Sequence, residues 1–127
     1  MALLIPGIRR TQRGLILGVD GGAVGFKYAA LTATGNSQST AAELTAPVTS
    51  VATASVDGTK SVVIPTRGSY FVVYNEHATN GLPIYPPSGC TFNGGSSNAA
   101  ITIEGKTSAV IWQVSDTNYA AMYTANT

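Results

Sequence analysis

The chain has 127 residues, enough for one domain with its own core, but only 10% of them are charged. An average soluble domain has about 25%, and the net charge here is only +1. This charge balance argues against long-range attraction to nucleic acid, to an anionic membrane or to an acidic substrate. Small neutral residues replace the missing charges and favour packed assemblies. The lone Cys90 rules out a disulfide framework within the chain, and no apolar run approaches the roughly 18 residues of a membrane span.

Residues 1–13 are predicted to form an extended N-terminal arm that precedes a single domain at residues 14–127. The arm is apolar first and basic afterwards, the reverse of a signal peptide, so we expect no export. Two interpretations stay open: a frayed terminus, or a segment that orders on a neighbouring subunit through apolar contacts and arginine–carboxylate pairs. The residues that would make this contact are Leu3, Leu4, Ile5, Ile8, Arg9, Arg10 and Arg13.

The segment after the arm predicts two strands, at residues 15–17 and 24–31, joined by a turn at residues 20–22. Its glycines faintly resemble a phosphate-binding loop, but such a loop must open a helix and no helical periodicity follows. Residues 40–43 have the form of a capping box, and Pro47 would end a helix there after about two turns. The chain therefore supports at most one short helix.

From Val48 onward, short strands are predicted to alternate with turns. Asp57-Gly58 is typical of a tight hairpin, and in the strand that follows it Val62 and Ile64 share one face. "SYFVVY" (residues 69–74) is apolar on both faces, which predicts a central strand covered on each side. "LPIY" contains Pro83, which cannot donate a ladder hydrogen bond, so this strand is expected at an edge.

The C-terminal third continues the same pattern. In "AITIEG" the alternation predicts that Ile101 and Ile103 point inward, and "SAVIWQVS" again predicts a central strand, with Trp112 in the core. Residues 119–123 form the closing strand. Turns every 8–12 residues are typical of a sandwich or small barrel. The predicted fold is all-β, a β-sandwich with a jelly-roll-like arrangement.

Candidate reactive groups are few and scattered. A nucleophile pair of Cys90 and His77 lacks an orienting third group, and a lone cysteine between small residues is more often a buried apolar residue. Glu76 and His77 are adjacent, and adjacent strand residues point to opposite faces, which disfavours a shared metal ion. We therefore assign no catalytic, metal or cofactor residues and expect that the protein is not an enzyme.

The stretch "NGLPIYPPSGCTFNGG" contains a stiff elbow at Tyr85, Pro86 and Pro87. The two prolines hold an extended course, so Tyr85 is presented on a pre-ordered loop. Such a tyrosine loses little entropy when it contacts a partner. Equally, it could lie over the end of the sandwich and close the core. Both interpretations remain open.

Residues 62–123 resemble a module found in small structural proteins of tailed bacteriophages, including head decoration (cement) proteins. The matching elements are a Val-rich strand ending in proline, a "VVYN" strand, the "IYPPSG" elbow, "NAAI", a Gly-Lys turn and a last strand pair around an aromatic residue. Phe92 departs from the pattern, which has an aliphatic residue there. The resemblance implies a virion component without catalytic residues.

We therefore expect a protein of the virion, assembled in the host cytoplasm, that decorates and stabilises a capsid by binding the major capsid protein. We expect it to form a homo-oligomer, with a trimer as the first choice and a dimer as the second. We expect no specific binding to nucleic acid and no binding to membranes. The alternative is a tail or fibre-associated module that binds carbohydrate or another tail protein.

Overall fold

The structure, a computed structural model, describes residues 27–66 and 68–126. Within these ranges the chain forms strands and turns, with a single turn of 3-10 helix at Thr53–Ser55. No helix in the described part has the length and apolarity needed to cross a bilayer. In chain order the strands are β1 (Tyr28–Leu31), β2 (Ala42–Glu43), β3 (Val48–Val51), β4 (Val62–Val63), β5 (Tyr70–Asn75), β6 (Leu82–Tyr85), β7 (Thr91–Phe92), β8 (Ile101–Ile103), β9 (Ser108–Gln113) and β10 (Asn118–Met122).

The strands build two sheets around one hydrophobic core. A six-stranded sheet has the order β1-β3-β5-β9-β10-β7, and a four-stranded sheet has the order β2-β4-β6-β8. The predicted all-β class and the β-sandwich are thus confirmed. The described part of the domain lies within residues 14–127, while the predicted strand at residues 15–17 and the turn at 20–22 lie outside the described residues.

The core is filled by alternate residues of each strand, because successive strand side chains point to opposite faces. Both sheets contribute side chains that are wholly buried, and each stabilises the fold by about 1.5–3 kcal/mol relative to an exposed position. They include Val51, Val73 and Ile111 from the six-stranded sheet, and Val62, Leu82, Ile84 and Ile103 from the four-stranded sheet.

Several expectations drawn from periodicity are confirmed. Val62 and Ile64 are both buried, and so are Ile101 and Ile103, whereas Glu104 is exposed. β5 and β9 lie side by side in the middle of the six-stranded sheet, as their apolar sequences predict. Apolar residues on both faces of a segment therefore did identify the central strands.

The strand order differs from the expected jelly-roll-like arrangement. A jelly roll is an antiparallel architecture, whereas five of the eight strand pairings in the described residues are parallel. The reason is that the chain alternates between the two sheets at every step from β1 to β9. From β1 to β6, each strand that returns to a sheet runs in the same direction as the previous strand of that sheet, so β1, β3 and β5 are parallel neighbours. The later returns are antiparallel, β8 to β6 and β9 to β5.

This alternation also overturns the predicted hairpin at Asp57-Gly58. The turn itself forms, with Gly58 at a φ of 91°, but the strands on either side of it, β3 and β4, belong to different sheets. Asp57 Oδ1 accepts hydrogen bonds from the backbone N–H groups of Thr59 (2.9 Å) and Lys60 (3.0 Å), so its role is local turn closure.

Two further local predictions are corrected. Pro83 does not lie in an edge strand: β6 is flanked by β4 and β8. The proline is tolerated because the pairing with β4 begins only at Ile84, one residue later. Residues 40–43 form no helix, since Thr40 closes a turn through hydroxyl contact with Ser37 (2.9 Å), and β2 begins at Ala42.

Candidate interaction surface

The strand register of the six-stranded sheet assembles a row of apolar side chains on the side that points away from the core. Tyr28 pairs with Val48, Val48 with Val72, Val72 with Val110, and Val110 with Met122. Directly paired residues share one face of a sheet. The row therefore crosses five adjacent strands, β1, β3, β5, β9 and β10.

The two ends of this row are exposed and its middle is half-buried. Tyr28 has 82% of its surface exposed and Met122 has 63%, while the three valines between them are half-buried by their neighbours. Residues one position along each strand, such as Val73 and Ala109, are wholly buried in the core. The row is thus a separate apolar surface and not an extension of the core.

A second row on the same side is aromatic. Trp112 pairs with Tyr70 on β5 and with Ala120 on β10. Tyr70 is 40% exposed and Trp112 is half-buried, so the expectation that Trp112 lies in the core is wrong. The core position in this part of β9 belongs to Ile111, its wholly buried neighbour.

We call this side of the six-stranded sheet the outward face. No Asp, Glu, Lys, Arg or His is found among the twelve residues that define it. Those residues are Tyr28, Ala30, Val48, Ser50, Tyr70, Val72, Tyr74, Ser108, Val110, Trp112, Ala120 and Met122. A continuous apolar area of this kind on a protein surface marks an interaction site.

A carboxylate borders the outward face at one end. The hydroxyl of Ser50 donates a short hydrogen bond to Glu76, and the backbone N–H of Thr53 donates a second (3.4 Å). The bond from Ser50 is the main cause that lowers the pKa of Glu76 below its ordinary value. This carboxylate therefore joins β3, the 3-10 turn and the end of β5.

The elbow at Tyr85, Pro86 and Pro87 is part of the scaffold in the described structure. Both prolines are buried, and Tyr85 is half-buried with its hydroxyl donating to the carbonyl oxygen of Asn36 (3.3 Å). The side chain of Gln38 donates to the carbonyl oxygen of Pro86 (2.7 Å). Tyr85 is thus tied to the segment at Asn36, and both of its predicted roles, closing the core and contacting a partner, stay predictions.

Asn98 holds the elbow from its other side. Its Oδ1 accepts hydrogen bonds from the backbone N–H of Gly89 (2.6 Å) and from Gln38 Nε2 (3.1 Å). Asn98 has a φ of 64°, the left-handed region that asparagine tolerates better than most residues. Two amide side chains from distant segments therefore fix the course of the double proline.

The candidate reactive groups are engaged in separate local contacts. His77 Nδ1 accepts from the backbone N–H groups of Thr79 (3.0 Å) and Asn80 (2.9 Å). Cys90 is buried, as expected, and its sulfur lies 3.8 Å from the carbonyl oxygen of Asp116. In the ranges 27–66 and 68–126, no three His, Cys, Asp or Glu side chains come together in a way that could hold a metal ion.

A shallow hollow beside Asp57 and Lys60 has a volume of about 290 Å³. It is lined otherwise by small residues such as Ala33, Ala54 and Ser55. Ligand pockets commonly have about 300–1,000 Å³ with convergent polar groups and apolar walls. The outward face is therefore the stronger candidate for a functional surface.

The predicted contact residues of the N-terminal arm cannot be placed. Leu3, Leu4, Ile5, Ile8, Arg9, Arg10 and Arg13 all lie outside the described residues, as does the glycine-rich segment at residues 18–25. The arm as a contact segment stays a prediction.

Sequence reasoning did not find the outward face. The signal was present, since "SYFVVY" and "SAVIWQVS" are apolar on both faces, but it was interpreted as two covered faces. The strands that would cover the second face do not exist among the described residues, because every described strand belongs to one of the two sheets.

Compared with known proteins, the chain matches no protein-family model, no curated protein and no solved structure.

Proposed function

We propose that this chain is a structural protein of a tailed-bacteriophage particle, which decorates and stabilises the capsid by binding the major capsid protein lattice. The observation that carries the proposal is the outward face, an uncharged and mostly apolar surface across five strands of the described domain. The resemblance of residues 62–123 to phage structural proteins supports the same role.

A neutral apolar surface suits a protein that must stay attached under changing conditions. Attraction between exposed charges weakens as salt rises, because ions screen it over about 10 Å at 0.1 M. Burial of apolar area does not depend on ion pairs. The described surface has one ion pair, Asp57 with Lys60 (3.1 Å), and both of its side chains are about half exposed, so it contributes little.

The domain behind this surface contains buried polar groups that are held in place by hydrogen bonds. Its buried polar groups are satisfied internally: Asn75 donates to the carbonyl oxygen of Asn80 (2.8 Å) and accepts from the N–H of His77 (3.0 Å). Buried Ser61 likewise donates to the carbonyl oxygen of Gly35 (3.1 Å). Satisfied buried networks hold a structure in one conformation.

In this proposal the protein is not an enzyme, acts at the surface of the virion and contacts the shell through the arm at residues 3–13. Many copies on a symmetric shell convert individually weak contacts into durable attachment.

A second candidate is a tail or fibre-associated module that binds carbohydrate or another tail protein. The observation that favours it is the aromatic row, since Tyr70 and Trp112 lie side by side on the outward face and are both partly exposed. Aromatic rings with a polar group at one end are suited to contact with partly polar ligands.

The test is binding of the purified full chain to capsids that lack it. Decoration predicts saturable co-sedimentation at a fixed ratio to the capsid protein. Electron cryo-microscopy would then show added density on the shell. Absence of binding to capsids, together with retention on a glycan array, would replace the proposal with the second candidate.

A further inference from the structure

We propose that the outward face binds a second copy of this chain, in a face-to-face dimer whose two-fold axis runs along the strands at Val72. The inference goes beyond the proposed function because it concerns the purified chain alone, with no particle present. Two properties of the face argue for a second copy as its occupant, its charge and the order of its residues, and its size determines the expected affinity.

The charge of the face favours self-association. All twelve residues of the outward face are uncharged, so two copies stacked on each other bring no like charges together. A partner selected by its own charge would be met by complementary charged residues. Glu76 lies only at the border, where Ser50 and Thr53 already hold its carboxylate.

The side-chain sizes along the main row are symmetric about its centre. The main row reads Tyr28, Val48, Val72, Val110, Met122, with a large side chain at each end and three equal ones between. A two-fold axis along the central strand reverses this order in the second copy. Tyr28 then lies opposite the second copy's Met122, and Val72 lies opposite its own equivalent, as an isologous interface requires.

The size of the face determines how tightly two copies are expected to associate. Five strands at the usual spacing and about five residues of strand length give a face of about 24 by 16 Å. Two copies would together cover about 800 Å², below the roughly 1,200–2,000 Å² of stable complexes. The dimer is therefore expected to dissociate on dilution and to form at high local concentration.

This geometry favours a dimer over the trimer that the sequence analysis places first. A closed trimer needs two different patches on each copy. A face that packs on the same face of a second copy is fully covered by that one partner. We therefore place the dimer before the trimer, which reverses the order expected from the sequence.

The test measures self-association by sedimentation velocity over a dilution series of the full chain. Tyr28→Lys and Met122→Glu each place a charge against an apolar partner, and both positions are exposed enough to tolerate the change. Each single variant is expected to weaken dimerisation about tenfold or more, equivalent to at least about 1.4 kcal/mol. The double variant is expected to recover most of the loss, because the two introduced charges are opposite and face each other.

Matched controls carry the same introduced charges away from the face. Ala54→Lys, in the 3-10 turn, and Ala100→Glu, before β8, alter exposed alanines and should dimerise as the wild type does. Circular dichroism of every variant checks that the fold is kept.

Three results would overturn the inference. One is a wild-type chain that stays monomeric at the highest concentration, as expected if the chain's own residues 1–26, a shell protein or a glycan occupies the face. Another is single variants that associate as well as wild type. The last is a double variant that dimerises no more tightly than the single variants, which would exclude a two-fold axis along the strands. The proposed function is tested separately, by binding of the chain to capsids.

Discussion

Trp112 lies directly opposite Tyr70 across the pairing of β9 with β5, on the side of the sheet that points away from the core. Its neighbour Ile111 points the other way and is wholly buried. Two adjacent apolar residues thus serve different purposes: Ile111 stabilises the fold, and Trp112 forms part of a surface.

This difference predicts unequal losses of stability. Ile111→Ala leaves a cavity in the core and should lower the free energy of unfolding by about 2–5 kcal/mol. Trp112→Ala removes only half-buried area and should cost about 1–2 kcal/mol. Urea unfolding of the two variants measures the difference, and a greater loss for Trp112→Ala would place the tryptophan in the core.

A second prediction concerns the elbow. Asn98→Ala removes the acceptor for Gly89 N–H and Gln38 Nε2 and puts alanine at a φ of 64°, so it should destabilise the fold by about 1–3 kcal/mol. Asn98→Asp keeps the acceptor and should remain near the wild-type midpoint of urea unfolding. Equal losses for the two variants would contradict the hydrogen-bonding role.

A third prediction is a pH dependence that comes from Glu76. The hydrogen bond from Ser50 lowers the pKa of Glu76 in the folded state below its ordinary value of 4.5. A carboxyl whose folded pKa is lowered stabilises the fold above its unfolded pKa, and this contribution is lost as the pH falls through the folded pKa. We expect the free energy of unfolding to fall below about pH 4.5 by more in the wild type than in Glu76→Gln.

Ser50→Ala provides the control, because it removes the main cause of the lowered pKa while keeping the carboxyl group. The acid loss should be smaller in Ser50→Ala than in the wild type. Asp57, whose pKa is also lowered, chiefly by its hydrogen bonds with Thr59, contributes equally to all three proteins and cancels in the comparison. Identical pH profiles for the three proteins would rule out Glu76 as the source.

A fourth prediction separates the arm from the outward face. A chain without residues 1–13 should fold and dimerise as the full chain does, because every described strand lies beyond residue 27. It should lose binding to capsids, if the arm supplies the shell contact. Full binding by the truncated chain would exclude the arm as an anchor, whereas loss of the fold would assign it a structural role.

The sequence predicted the strands better than their arrangement. Inward positions such as Ile101 and Ile103 follow from period-2 alternation, which depends only on local geometry. Pairing partners depend on which sheet each strand joins. No local signal distinguishes the Asp57-Gly58 turn, which crosses between sheets, from a hairpin turn that keeps two strands in one sheet.

The candidate site was missed for a related reason. An apolar residue that faces the core and one that faces a partner look alike in sequence, so the two apolar faces of "SYFVVY" predict a strand covered on each side. The elbow was ambiguous as well: its hydrogen bonds come from Gln38 and Asn98, which lie outside it in the chain. Such contacts between distant segments are invisible to local pattern analysis.

The most direct test of the central claim, that this domain acts by contact through an uncharged sheet face, is electron cryo-microscopy of intact particles that contain the chain. The account predicts copies on the head shell, with Val72 and Trp112 covered by another protein surface. Copies that lie elsewhere than on the head shell, or whose outward face is open to solvent, would contradict it.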